Sequence, residues 1–158
     1  MSILLAMVCL SNLVPLERSR ERPSLRLFVV SQRKFKNHGH HPWNNRRVTF
    51  RLVNDSDQAV IVYGTKFDFG FEPTGYVLSL NSNTSEWECP NTDNSPTPWN
   101  ELSADEKDRH VLKPGEHITF EAEMSVFEVG MHFKRTIYVS MKEGEQPREI
   151  RGQEFVLK

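Results

Sequence analysis

Residues 111–125 constrain the fold more than any other part of the chain. Pro114 and Gly115 predict a turn, and the residues that follow alternate between apolar and polar. A period of two is typical of a β-strand that buries one face and exposes the other to water. We therefore expect a half-buried antiparallel strand here, with further strands packed against it. Its inward side chains are those of Ile118, Phe120, Ala122 and Met124.

The chain from Leu25 onward repeats this pattern of short strands and turns. Turn signals such as Asn54-Asp55-Ser56-Asp57 separate the apolar runs, and residues 59–63 are apolar on both faces, which predicts a covered, central strand. The seven main predicted strands are residues 25–31, 48–54, 59–63, 76–80, 118–125, 133–141 and 150–157. Seven short strands with little helix predict an all-β antiparallel sandwich, interrupted by a long irregular insertion.

The composition fits one folded domain behind an N-terminal segment. The chain has 158 residues, of which 37% are hydrophobic and 26% charged, so it has enough apolar residues to bury a core and is not a disordered chain. We divide it into an apolar and basic segment, residues 1–24, and a β-sandwich domain, residues 25–158. The first of these is either a signal or an arm.

The order of these features resembles the immunoglobulin-like sandwich that is common in bacterial surface and periplasmic proteins. The resemblance covers roughly residues 45–158, and it implies a fold rather than an activity. The motifs that carry it are Val48-Thr49-Phe50-Arg51-Leu52-Val53-Asn54, residues 59–63, Leu112-Lys113-Pro114-Gly115-Glu116 and the strand at residues 134–140. The two-cysteine bridge of antibody domains is absent. Tyr138 has the spacing of a tyrosine corner, but alternation places it on the outward face.

A narrower set of motifs resembles the small β-sandwich inhibitors of bacterial intracellular proteinases. Asn54 ends an early strand, Phe67-Asp68-Phe69 precedes Gly75, and Leu112-Lys113-Pro114-Gly115-Glu116 forms the later turn. This resemblance implies a proteinase inhibitor in which an exposed loop enters an enzyme cleft. The insertion at residues 81–110 and the basic N-terminus depart from that pattern.

The N-terminus leaves the compartment open. Residues 3–10 form an apolar run with the length of a signal-peptide core, but no Lys or Arg precedes it and no small-residue cleavage site follows. The run is too short to cross a bilayer, so we predict no transmembrane span. A secreted or periplasmic location and a cytoplasmic one both remain open.

Charge is distributed unevenly along the chain. Residues 1–51 hold ten basic and two acidic residues, and the remainder holds ten basic and nineteen acidic ones. One explanation is that the basic part lies along the acidic body and neutralises it. The other is that the basic region at residues 18–51 meets an anionic partner, either nucleic acid or an anionic surface.

The insertion at residues 81–110 is the main candidate for a contact surface. It is too long for a simple connection in a compact domain. It contains Trp87 and Trp99, a residue type enriched where proteins bind partners, and Pro96 and Pro98, which favour an extended backbone. The alternative is that both tryptophans fold back over the sandwich as a lid.

Candidates for chemistry are few. His38, His40 and His41 carry imidazoles that could bind a metal, but their loop adds no carboxylate, Cys or Met, and a solvated loop is the alternative. There is no GxSxG motif, and Cys89 has no catalytic context. We therefore expect no enzyme activity and no cofactor.

Three functions remain as hypotheses. The first is a non-catalytic module that binds a protein partner through residues 81–110. The alternatives are a proteinase inhibitor of the β-sandwich type and a metal-handling domain that uses the three histidines.

Overall fold

The computed structural model describes residues 24–34, 44–89, 98–126 and 130–158. These residues form two antiparallel β-sheets, so the prediction of an all-β fold is confirmed. Eleven strands lie within the described residues. They are β1 (Leu25–Lys34), β2 (Asn44–Asn54), β3 (Val60–Phe67), β4 (Gly70–Pro73), β5 (Val77–Leu80), β6 (Trp87–Glu88), β7 (Asp108–Leu112), β8 (His117–Val126), β9 (His132–Ser140), β10 (Arg148–Arg151) and β11 (Phe155–Val156).

The first sheet has the order β1-β2-β8 and is regular. β2 and β8 pair over ten residues without interruption, from Asn44 opposite Val126 to Val53 opposite His117. β1 pairs with the other edge of β2, with one irregularity between Val29 and Ser31. Every second residue of these strands therefore faces the second sheet.

The second sheet contains a strand that changes partner. Its order is β4-β3-β9-β5-β6, with β7 on the other edge of β3 and with β10 and β11 on β9. β4 pairs with β3, and the chain then crosses to β9 as β5. At the crossing the Thr74 amide donates to the Tyr63 carbonyl, and the Tyr138 amide donates to the Thr74 carbonyl. Residues 70–80 thus form a wedge between β3 and β9.

Two glycines allow this wedge to fit. A Cβ on Gly75 would lie 1.9 Å from the Thr136 carbonyl oxygen, and one on Gly64 would lie 2.1 Å from the Glu72 carbonyl oxygen. No side chain can occupy either position without moving backbone.

The core lies between the two sheets and follows the predicted alternation. β2 contributes Val48, Phe50 and Leu52, each 1% exposed or less, as the sequence pattern predicts. The Phe50 ring stacks on Phe120 and meets Phe155 edge-on, both at 5.5 Å between ring centroids. Aromatic contacts therefore join the first sheet to the C-terminal strand across the core. The other fully buried apolar side chains include Val60, Val62, Leu112, Ile137, Val139 and Leu157.

Asn54 is fully buried and connects two turns. Its Nδ2 donates to the carbonyls of Gln58 and Leu112, at 2.8 and 2.9 Å, and its Oδ1 accepts from Ser56. Its own carbonyl accepts from the Gly115 amide, at 2.8 Å. One side chain thereby holds the β2–β3 turn against the turn that joins β7 in the second sheet to β8 in the first.

The C-terminal segment closes one side of the sandwich. β11 pairs with β9, while the Gln153 amide donates to the Leu27 carbonyl of β1. The Gln32 side chain donates to the Val156 carbonyl at 2.9 Å. Residues 152–158 therefore contact both sheets.

Several strand boundaries differ from the sequence-based expectation. The stretch at residues 111–125 belongs to two strands in different sheets, because the Pro114-Gly115 turn carries the chain from one sheet to the other. Likewise, the closing strand predicted at 150–157 is two short strands separated at Gly152. β1 extends past the predicted end at residue 31 to Lys34, and β2 begins at Asn44, before the predicted start at residue 48.

Some expectations fall outside the described residues. These are the N-terminal segment up to residue 23 and the histidine loop with His38, His40 and His41. Within the described part of the chain, no helix has the length and apolar character needed to cross a membrane.

Replacing Asn54 with Ala should destabilise the fold by about 2–4 kcal/mol, because the buried Leu112 carbonyl and the part-buried Gln58 carbonyl lose their donor and two Ser56 groups lose their acceptor. Urea unfolding would measure the change. Asn100→Ala, at an exposed position, is the matched control and should change stability by less than about 0.5 kcal/mol. A loss below about 1 kcal/mol for Asn54→Ala would show that the turns hold without it.

Candidate functional site

Trp99 packs on the outer face of the second sheet. Its ring lies 4.7 Å from Tyr63 and 5.6 Å from Tyr138 between centroids. Tyr63, Tyr138 and Leu102 are buried in this cluster, which is separate from the core, and Ile61 packs against it. We call these residues the outer aromatic cluster. Its position explains why residues 59–63 are apolar on both faces.

The segment that carries Trp99 is held by specific hydrogen bonds. Ser103 and Glu106 form a capping box, in which the Ser103 amide and hydroxyl donate to the Glu106 carboxylate at 2.9 and 2.7 Å. The Thr74 hydroxyl donates to the Glu106 carbonyl at 2.7 Å, which ties this turn to the wedge. The Lys107 ammonium lies 5.3 Å from the centroid of the Trp99 ring. Trp99 thus contacts Lys107 as well as Tyr63 and Tyr138.

Trp87 makes a different intramolecular contact. It lies on the short strand β6, opposite Leu80, and the Lys134 ammonium sits 4.1 Å from the centroid of its ring. Its side chain is half-buried. Of the two prolines predicted with the tryptophans, Pro98 is exposed just before Trp99, and Pro96 lies outside the described residues.

Tyrosine hydroxyls on this face have polar partners. Tyr63 and Ser140 share a hydrogen bond of 2.9 Å, and the Tyr76 hydroxyl donates to Glu149 at 2.8 Å. Burial, reinforced by the Glu149 carboxylate, raises the pKa of Tyr76 well above its ordinary value. The pKa of Tyr138 is raised by the same two causes. Both hydroxyls therefore stay protonated over the physiological range.

Cys89 is half-buried and unpaired. Burial raises the pKa of its thiol, and the negative charge of Glu149 raises it further. A reactive cysteine needs the opposite surroundings, with positive charge and a lowered pKa. The arrangement disfavours Cys89 as a nucleophile.

The hairpin between β3 and β4 carries the most exposed aromatic side chains of the described residues. Phe69 is 101% exposed and Phe67 is 56% exposed. They flank Asp68 at the tip, where Phe67 pairs with Gly70. We call Phe67, Asp68 and Phe69 the hairpin tip.

The hairpin stem is held in place by the rest of the second sheet. The Phe71 ring lies 5.2 Å from the His110 ring of β7, and the Gly64 backbone passes close to Glu72. On the other edge of β3, Gly64 pairs with Asp108. β7 therefore flanks the base of the stem at Gly64, and the hairpin tip projects beyond it.

Three basic residues of the first sheet, Arg26, Arg33 and Arg47, form ion pairs with acidic residues. Arg47 donates to Glu123 at 2.6 Å and lies 3.7 Å from Glu121, which also pairs with Arg33 at 3.1 Å. Arg26 forms an ion pair with Asp55. For the described part of the basic region, this supports mutual neutralisation, the first of the two explanations offered for the charge asymmetry.

Arg135 is a buried cation that the sequence pattern did not identify. It alternates with Phe133 and Ile137 on the inward face of β9 and is 9% exposed. Its Nη2 donates to the Pro73 carbonyl at 3.1 Å, while its Nε has no hydrogen-bond partner. Burial lowers the pKa of Arg135 to about 10, against the opposing charge of Glu72. The contact with Pro73 places this residue at the crossing of the wedge, where it supports structure.

No cluster of His, Cys, Asp and Glu suited to a metal occurs among the described residues. The three histidines predicted as ligands lie beyond them, so the metal hypothesis stays a prediction.

Sequence reasoning missed the exposure of Phe67 and Phe69. Phe67-Asp68-Phe69 was noted only as part of a resemblance, and a turn at Asp68-Phe69 was not predicted. The available signal was the short spacing between two apolar runs around Asp68 and Gly70.

Comparisons with known proteins identify the fold. No family model matches the chain, and no curated protein matches it. Among solved structures, a Bordetella pertussis protein described as ApaA aligns with a TM-score of 0.53 and 13% identity, over 85% of this chain and 93% of its own. The structural-genomics target SoR45 aligns with a TM-score of 0.52 and 10% identity, over 85% of this chain and 86% of its own. At such identities the likeness shows the fold alone.

Trp99→Ala should cost about 2–3 kcal/mol, since the cluster around Tyr63 and Tyr138 loses its cover. Trp87→Ala should cost less than half of this, because that ring is covered mainly by Lys134. Urea unfolding of both variants would measure the difference. Equal losses would contradict the special role of Trp99.

Stability should fall with rising pH above about 10, the ordinary pKa of tyrosine in the unfolded chain. Above that pH the unfolded state loses the Tyr76 proton, and the native state, in which the pKa of Tyr76 is raised, keeps it. Urea midpoints measured at about pH 8 and about pH 11 would show the fall, which should be smaller in Tyr76→Phe. An equally large fall of the urea midpoint in Tyr76→Phe would show that Tyr76 is not the cause of the fall.

Proposed function

We propose that this protein is a non-catalytic module that binds a protein partner through the hairpin tip. The observation that carries the proposal is the exposure of two large aromatic side chains at one point of a β-sandwich. Phe69 is 101% exposed and Phe67 is 56% exposed. When a phenylalanine enters a partner's pocket, its apolar surface is removed from water, which is favourable, and Phe is among the residue types enriched in the cores of protein interfaces.

We further propose an immunoglobulin-like topology for the sandwich. β1, β2 and β8 form one sheet, and the other is centred on β3 and β9, with β10 and β11 on the far edge. This corresponds to a three-stranded sheet facing a larger one, with consecutive strands distributed between them. Such sandwiches commonly place binding contacts on the turns at the ends of the strands.

The hairpin tip replaces residues 81–110 as the favoured contact surface. The Trp99 ring packs against Tyr63 and Tyr138, and the Lys134 ammonium lies over the Trp87 ring. Those contacts would have to be broken before either ring could meet a partner. The phenylalanines of the tip are available without such a cost.

The stem supports binding by limiting the motion of the tip. Phe71 packs on His110. Within the wedge, the backbone of Thr74 is hydrogen-bonded to both β3 and β9. A contact residue on a preorganised stem loses less conformational entropy on binding.

A proteinase inhibitor is a second candidate, and the same hairpin favours it. A projecting loop with an exposed aromatic side chain could enter an enzyme cleft whose specificity pocket is hydrophobic. However, Asn54 and Gly115, which contributed to that resemblance, bond to one another. The presence of those two residues is therefore explained by the fold, and only the hairpin tip supports a role as an inhibitor.

Replacing Phe69 with Ser should weaken partner binding by about tenfold or more without unfolding the protein, because the side chain is exposed and contributes little to the core. Quantitative affinity purification from the native host would compare the wild type with this variant. Val30→Ser, at an exposed apolar residue of the first sheet, is the matched control.

The same three proteins can be tested against proteinases that prefer aromatic residues. Inhibition that disappears in Phe69→Ser would favour the inhibitor over the general binding module. If the variant co-purifies with every protein that the wild type retains and inhibition is absent, the hairpin tip has neither function.

A further inference from the structure

The surroundings of the hairpin tip indicate what kind of partner it fits. The 3₁₀ helix Asp105–Lys107 leads into β7 and contacts β3. Because β7 runs antiparallel to β3 from Asp108 opposite Gly64, this short helix lies alongside the end of β3 that leads to the tip. The tip and residues 98–108 therefore share one end of the second sheet.

This end of the sheet is acidic. Residues 65–72 and 98–108 together contain six acidic and two basic residues. Asp68, Glu101 and Asp105 are exposed, whereas one of the two bases, Lys107, places its ammonium over the Trp99 ring. Lys66 is the other base and is also exposed. Two exposed phenylalanines thus stand on an acidic rim.

The charge discriminates between classes of partner. An anionic membrane attracts basic segments through its surface potential, and it would repel this rim. Nucleic acid is disfavoured for the same reason, since binding it requires basic side chains against phosphates. A protein pocket that is apolar at its centre and basic at its edge complements both the phenylalanines and the rim.

We propose that Phe67 and Phe69 enter an apolar pocket, rimmed by basic residues, on a protein other than this chain. The inference rests on the proposed binding function and specifies the partner's surface. The aromatic side chains provide the affinity, and the acidic rim, chiefly Asp68 and Asp105, speeds and orients the encounter.

The test begins with a photo-reactive probe at the tip. p-Benzoylphenylalanine would replace Phe69 in the native host, with the same amino acid at Val30 as the matched control site. We expect a protein adduct specific to position 69, which mass spectrometry would identify. The absence of a specific adduct would overturn the proposed function together with this inference.

The purified partner would then be titrated with the full-length protein. We expect Phe69→Ser to weaken binding by about tenfold or more. Asp105→Lys should slow association by about three- to tenfold. Asp57→Lys is the control charge reversal, because Asp57 is exposed in the turn at the opposite end of β3. Association should also slow between about 0.01 M and about 1 M salt, where the Debye length falls from about 30 Å to about 3 Å.

Three results would overturn the inference while leaving the hairpin as a contact surface. The first is an adduct with a second copy of this chain. The second is an association rate that changes neither with salt concentration nor in Asp105→Lys. The third is cross-linking to lipid, with Phe69-dependent binding to vesicles of phosphatidylcholine and phosphatidylserine.

Discussion

The buried side-chain amide of Asn54 joins the two sheets through hydrogen bonds. Its Nδ2 donates to the Gln58 carbonyl in the β2–β3 turn and to the Leu112 carbonyl at the end of β7, and the Asn54 carbonyl accepts from the Gly115 amide in the β7–β8 turn. The Asn54 side chain and its bond to the Leu112 carbonyl are buried, so either group would carry a desolvation cost without its partner. Because β7 and β8 lie in different sheets, the bonds of this amide contribute to the alignment of the two sheets.

The second sheet follows from that alignment and from the wedge between β3 and β9. Thr74 bonds to both strands, and Gly75 permits an approach that any side chain would block. The start of the wedge, residues 70–73, pairs with β3 to form the hairpin that carries the tip. The exposed position of Phe69 is therefore a consequence of how the sheet is divided, which connects the backbone geometry to the proposed contact surface.

Local alternation predicted much of this fold. The buried side chains of β2 and the outward position of Tyr138 each follow from the alternation of neighbouring residues. The assignment of residues 111–125 to two sheets, and the wedge, depend on contacts between distant residues, and no local period encodes them. The hairpin tip was missed for the same reason, because the sequence pattern around a Phe in a strand is the same whether its side chain is buried or exposed.

The C-terminal contacts have a consequence for how the molecule folds. The edge of β1 is covered by groups far along the chain, since Gln32 bonds to Val156 across 124 residues. Closing so long a loop is entropically costly and slow, so folding is expected to be governed by non-local pairing. Until residues 152–157 arrive, β1 exposes an unpaired edge beside apolar Leu27, which Gly152 and Gln153 approach in the native state. The partly folded chain is then most prone to aggregation at this edge, and a chaperone that shields strand edges would act there before the last segment docks.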